Sequence, residues 1–224
     1  MKDTRNLVVI CIIATVLAIC GDYLLLLVVN SLRAGHPSSM SILTAGGLLG
    51  CLSLPLAYGF GFSALARIVR PAAKITAEMI LYFGIGGAIL GPIIHWMTWM
   101  TIRSALNLGT ISSSPPMDAI VEQGGAPLLV WITAGVLLLI LSILIALSGI
   151  RQPRAIPLWL ALFNPIILNV LISILGSFSD VGRSYLVPMA SNLAHLSFFL
   201  ALFWCLRTGK VQQPENPEAV QTVS

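Results

Sequence analysis

Asp22 lies inside an uninterrupted apolar stretch, 7–29, where a carboxylate is costly and is kept for pairing, binding or transport. His95 and His195 hold comparable places in two later apolar stretches. One aspartate and two histidines can hold a divalent metal with a position left open for water, which the ion makes nucleophilic near neutral pH. Without a metal, an Asp–His pair fixes an imidazole tautomer and passes protons. Asn169, Ser173, Asn192 and Trp96 are placed to hold the polar and apolar parts of a substrate. Asn192 precedes His195 by three positions and Ser173 follows Asn169 by four, so each pair shares a helix face. Thr15 lies two turns before Asp22 on the same side of the first helix.

Neither HExxH nor GxSxG occurs, so no spacing motif of a soluble metallohydrolase or serine hydrolase supports these residues. A buried histidine tied to an asparagine is also an ordinary link between membrane helices. Three readings therefore stand side by side: a pocket that binds or modifies a lipid-like molecule, a proton-coupled transporter, and a structural or accessory membrane subunit.

The elements that must position these side chains are legible from composition. Of 224 residues, 57% are hydrophobic and 9% charged, far from the roughly one-quarter charged that soluble domains carry. The apolar runs are continuous rather than alternating, which predicts an all-α bundle. Six spans are expected, at about 7–29, 40–64, 76–102, 127–149, 156–176 and 186–206, in a membrane domain covering 1–210. The remainder, 211–224, is polar and contains Pro214 and Pro217, and it reads as a disordered cytoplasmic tail.

Charge sets the expected orientation. Lys2, Arg5, Arg67, Arg70, Lys74, Arg151, Arg154, Arg207 and Lys210 fall on one side of the spans, and Arg33, Arg103 and Arg183 on the other. The positive-inside rule then puts both termini in the cytoplasm. It also accounts for the net charge of +4 without a nucleic-acid partner. The expected surroundings are the lipid bilayer of a bacterial inner (plasma) membrane. Cys11, Cys20, Cys51 and Cys205 all fall within spans and show no disulfide spacing. Within 104–126, Pro115 and Pro116 followed by Asp118 and Glu122 predict a short surface helix. Glu78, four residues from Lys74, reads as half of a solvated helix pair.

Counting inward from the outer ends at about 1.5 Å per residue, Asp22, His95, Asn169 and His195 all reach a layer roughly 10 to 14 Å deep. Gly84, Gly87, Gly91 and His95 form one stripe, and Gly46, Gly50, Ser53 and Ala57 another; both read as close helix packing, the first turning His95 toward protein. Pro92 and Pro165 each precede a residue of the layer and are expected to free a backbone carbonyl. They do not occupy matching places in the two halves, so no inverted repeat of the transporter kind is evident.

Gly21-Asp22-Tyr23-Leu24-Leu25, Gly91-Pro92-Ile93-Ile94-His95, Asn164-Pro165 and Asn192-Leu193-Ala194-His195 together resemble a bacterial family of six-span membrane proteins without an assigned activity. The resemblance implies the architecture and the polar positions. A more distant likeness is to the seven-span hydrolases that include alkaline ceramidases and the progestin and adipoQ receptors, which hold zinc with intramembrane histidines. Asn192 and His195 stand where those proteins carry a histidine pair on the last helix. An enzyme of this kind would be a membrane-embedded hydrolase with Asp22, His95 and His195 as catalytic groups or as ligands of a divalent metal.

Overall fold

The computed structural model describes residues 2–108, 125–153 and 155–211, and among these the chain is helical with no strand. The helices are α1 (Lys2–Arg33), α2 (Met40–Val69), α3 (Lys74–Leu108), α4 (Gly125–Arg151), α5 (Leu158–Leu162), α6 (Pro165–Gly176) and α7 (Val187–Arg207). A π-helical turn, Gly182–Leu186, leads directly into α7. Five of these segments are long and apolar enough to cross a bilayer: 3–33, 40–69, 74–104, 127–151 and 182–207. The surface helix expected around 115–122 and the tail beyond Val211 lie outside the described residues.

The span expected at 156–176 differs: it is broken between α5 and α6. Asn164 adopts an extended backbone (φ −80°, ψ 162°), as the residue before a proline prefers. Its Oδ1 accepts from the amides of Ile166 and Ile167, and its Nδ2 donates to the Ala161 carbonyl. Asn164 thus caps both pieces. Pro165 is the first residue of a new helix, where its missing N–H is harmless. The expectation that it frees a carbonyl within a continuous helix is therefore corrected. At about 1.5 Å per residue, the twelve residues of α6 reach about 18 Å, short of the roughly 30 Å hydrocarbon core.

Helices α1, α2 and α3 follow one another as close neighbours, α4 packs on α3, and α7 packs on α1 and α6. The α1–α2 crossing is made by backbone. A Cβ on Gly21 would stand 2.8 Å from the Gly50 nitrogen and 2.9 Å from the Gly46 oxygen, so only glycine allows the two helices this close. Two apolar clusters flank the crossing. One contains Cys11, Phe62, Ile80 and Phe199; the other contains Leu25, Leu43 and Ile102. On each of α1, α2 and α3 the chain runs from one cluster to the other, and Asp22, Gly46, Gly50 and His95 sit in between.

Near the basic helix ends the connections are tied to each other. Gln152 Nε2 donates to the Ala72 carbonyl at 2.8 Å, joining the end of α4 to the α2–α3 turn. Trp159 and Trp204 meet edge to face, and the Lys210 ammonium lies 4.1 Å from the Trp204 ring centre. Glu78 faces Arg70 at 4.0 Å rather than Lys74, and both partners are exposed enough for this pair to contribute little.

Candidate functional site

Four helices bring polar side chains to the α1–α2 crossing. Oδ1 of Asp22 (α1) lies 3.2 Å from Nδ1 of His95 (α3). Oδ2 of the same carboxylate accepts from Nδ2 of Asn192 (α7) at 2.6 Å. Oδ1 of Asn192 accepts in turn from the hydroxyl of Tyr58 (α2) at 3.1 Å. At the other end, Nε2 of His95 is 3.1 Å from the Gly46 carbonyl oxygen. The His95 and Asp22 side chains are 5% and 17% exposed, which places the link away from bulk water.

Local sequence explains how these groups meet. A side chain at Gly50 would collide with the His95 imidazole, so the glycine on α2 makes the space into which α3 inserts its ring. One turn along the same stripe, Gly46 presents its carbonyl to that ring. Trp99, one turn beyond His95, lies over Gly47 in the same manner. The small-residue stripe of α2 therefore builds the site as well as packing helices. On α3, Gly91 leaves room for the Tyr58 ring, whose Cε2 would be 3.0 Å from a Cβ there.

Hydrogen-bond direction constrains the protons. A carbonyl oxygen only accepts, so Nε2 of His95 carries a hydrogen. Nδ1 and the carboxylate oxygen would then both be acceptors unless a proton lies between them. Nδ1 and Oδ1 stand at ion-pair distance, 3.2 Å, where a proton placed between them would satisfy both atoms.

His195 is buried but does not join this chain. Its Nδ1 donates to the Ser191 carbonyl at 2.7 Å, and its ring lies among Tyr58, Phe62 and Phe199, with the Tyr58 centroid 4.7 Å away. Thr15 turns back onto its own helix, donating to the Cys11 carbonyl. Asn169 and Ser173 are half-buried on α6, which packs against α4 and α7. Among the described residues no hydrogen bond links either of them to Asp22 or His95. Trp96 is 51% exposed and faces outward, lining with Cys51, Pro92 and Ile93 a shallow open groove of about 290 Å³ on the α2–α3 flank.

The proposed metal set of Asp22, His95 and His195 is not assembled. Among the described residues no three His, Cys, Asp or Glu side chains come together to hold an ion. Both nitrogens of His95 are engaged, and Nδ1 of His195 is held by its own helix.

A family profile matches residues 1–209, the stretch that contains every described helix and the polar site. The chain belongs to DUF6796, a family of unknown function. No curated protein and no solved structure matches the chain. In this member of DUF6796, Tyr58 is the site residue that sequence reasoning missed, and the glycines at 46 and 50, read there as helix packing alone, also seat the His95 ring. The available signal was their spacing: Gly46 and Gly50 stand one turn apart, as only a close approach by another helix or a bulky ring requires.

Proposed function

We propose that the protein is a proton-coupled membrane transporter in which the Asp22–His95 couple is the proton-binding site. In this reading α5 and α6 together make a broken fifth crossing among six, and both termini face the cytoplasm. The distribution of basic residues along the chain supports that orientation. One observation carries the functional reading: the Gly46 carbonyl takes the His95 Nε2 hydrogen, so Nδ1 is the ring atom left to face Asp22, 3.2 Å from its Oδ1, and a proton between them would satisfy both. An intramembrane ionisable pair at a junction of four helices is the arrangement proton relays use. Loss of the proton sets two acceptors face to face, so Asp22 turns away and its hold on Asn192 of α7 is broken. Protonation is thereby coupled to helix packing.

Asp22→Asn separates this reading from a structural one. An asparagine can donate to Nδ1 of His95 through its amide and accept from Asn192 through its oxygen, so the network survives without an exchangeable acidic proton. In protein reconstituted into liposomes, a pH gradient should drive proton flux through the wild type and not through Asp22→Asn. Equal flux in both, or flux no higher than in empty liposomes, would sink the proposal.

A second reading, retention of a lipid-like molecule, is favoured by the groove at Trp96, which opens sideways one residue from His95. There Trp96→Ala should lower the lipid that copurifies with the protein, and Asp22→Asn should not.

A further inference from the structure

Resting on the proton-site reading, we propose that Tyr58 is a positioning residue that confines the shared proton to the Asp22–His95 link by fixing the orientation of the Asn192 amide. The two ends of the Asn192 side chain are chemically opposite, a donor at Nδ2 and an acceptor at Oδ1. Which end faces Asp22 decides what Asp22 can do. With Nδ2 toward it, Oδ2 of Asp22 receives a hydrogen bond and has no acceptor to which it could give a proton. With the amide reversed, Oδ1 of Asn192 would face Oδ2 of Asp22, an arrangement that requires a protonated Oδ2 and draws the proton away from His95.

Tyr58 selects between these states. Its hydroxyl hydrogen points at Oδ1 of Asn192, which holds the acceptor end on the Tyr58 side and leaves Nδ2 for Asp22. The ring is itself fixed. Gly91 leaves space for one edge, and the His195 ring packs 4.7 Å away. His195, pinned by its bond to the Ser191 carbonyl, thereby acts as a wall for Tyr58 rather than as a member of the proton-bearing pair. The polar chain has fixed ends, the phenol of Tyr58 and the carbonyl of Gly46, and the Asp22–His95 contact lies in the middle.

Tyr58→Phe keeps the ring and removes the donor. In bilayers containing protein with ¹⁵N-labelled histidine, the His95 Nδ1 signal is followed across pH, alongside pH-dependent flux in liposomes. The expected result is a move of the His95 transition by roughly one pH unit, a tenfold change in proton affinity. The flux profile should move with it. Because Tyr58 acts through Asn192, Tyr58→Phe should add no further shift in an Asn192→Leu background.

An unmoved His95 transition in Tyr58→Phe overturns the proposal. So does an equal shift with and without Asn192. If Tyr58→Phe proves unstable, Asn192→Leu alone supplies the second variant: it removes the donor to Oδ2 of Asp22 and should itself move the His95 transition, and an unmoved transition there also overturns the proposal. The wild-type signal keeps the two claims apart: a His95 Nδ1 that shows no shared proton at any pH defeats the proton-site reading itself. A shared proton indifferent to Tyr58 defeats only this inference.

Discussion

The imidazole of His95 occupies the space that a side chain on Gly50 would need, and from that position its Nε2 meets the Gly46 carbonyl one turn earlier on the same helix. The ring is located by an absence on α2 and oriented by a backbone group of α2. Gly50→Ala should therefore act on the Asp22–His95 contact without touching either of its members. The added methyl must displace the ring or push α3 away, at a cost of ~1–3 kcal/mol typical of overpacking. Thermal unfolding in detergent, followed by tryptophan fluorescence, should show a lowered midpoint, and flux in liposomes should be lost. A stable Gly50→Ala protein with normal flux would show that the ring is not held as described.

Substitutions of Asp22 should divide sharply by shape. Asp22→Ala leaves Nδ2 of Asn192 and the Nδ1 side of His95 without partners, and each buried unsatisfied group costs about 1–3 kcal/mol. Asp22→Asn can bond to both and should stay within about 1 kcal/mol of the wild type. Unfolding midpoints measured side by side check this. Equal losses from both substitutions would mean that the charge itself, rather than the hydrogen-bond geometry, holds the helices together.

Asn164 gives a test of the break between α5 and α6. Its side chain accepts from two amides at the start of α6, and replacing it by alanine removes both bonds. Loss of such a cap costs about 1 kcal/mol. Hydrogen exchange at Ile166 and Ile167 should accelerate in Asn164→Ala, while exchange in α1 and α2 stays as it is. Unchanged protection at those two amides would argue for a continuous helix through Phe163.

Orientation can be checked by thiol labelling in sealed cells, with Cys11, Cys20, Cys51 and Cys205 replaced by alanine. His36→Cys, in the α1–α2 loop, should react with an impermeant maleimide from outside. Thr208→Cys, just past α7, should react only after the membrane is opened. The reverse pattern would invert the topology and move the site to the cytoplasmic half.

Much of the architecture was legible in the sequence because membrane spans are encoded by long apolar runs, which need no partner to be recognised. The stretches 7–29, 40–64, 76–102 and 127–149 fall within long helices, which run a few residues further at both ends except for α2, which starts at the expected Met40 and extends only beyond 64. The fifth stretch read as continuous because its apolar composition hides a local competition. Asn164 offers the backbone better hydrogen bonds in a cap than in a helix, and Pro165 enforces that choice. The approach of Asp22 and His95 was readable as a shared depth, since 1.5 Å per residue is a reliable ruler, whereas His195, counted at the same depth, stays on its own helix and Asn192, its neighbour on that face, makes the contact instead. Depth does not give azimuth, however. Asn169 was counted into the layer, yet α6 faces α4 and α7. Tyr58 escaped notice because a lone tyrosine in an apolar helix has no signature until its hydroxyl finds an acceptor on another element.

The order of the helices along the chain has a consequence for biogenesis. Asp22, its histidine partner and the glycine crossing all belong to α1, α2 and α3, which the ribosome delivers consecutively, whereas Asn192 arrives with the final helix. A nascent chain can therefore give Asp22 its histidine partner as soon as the third helix is in place. The last described helix docks onto a template in which Asp22 already faces His95, and its arrival completes the polar chain.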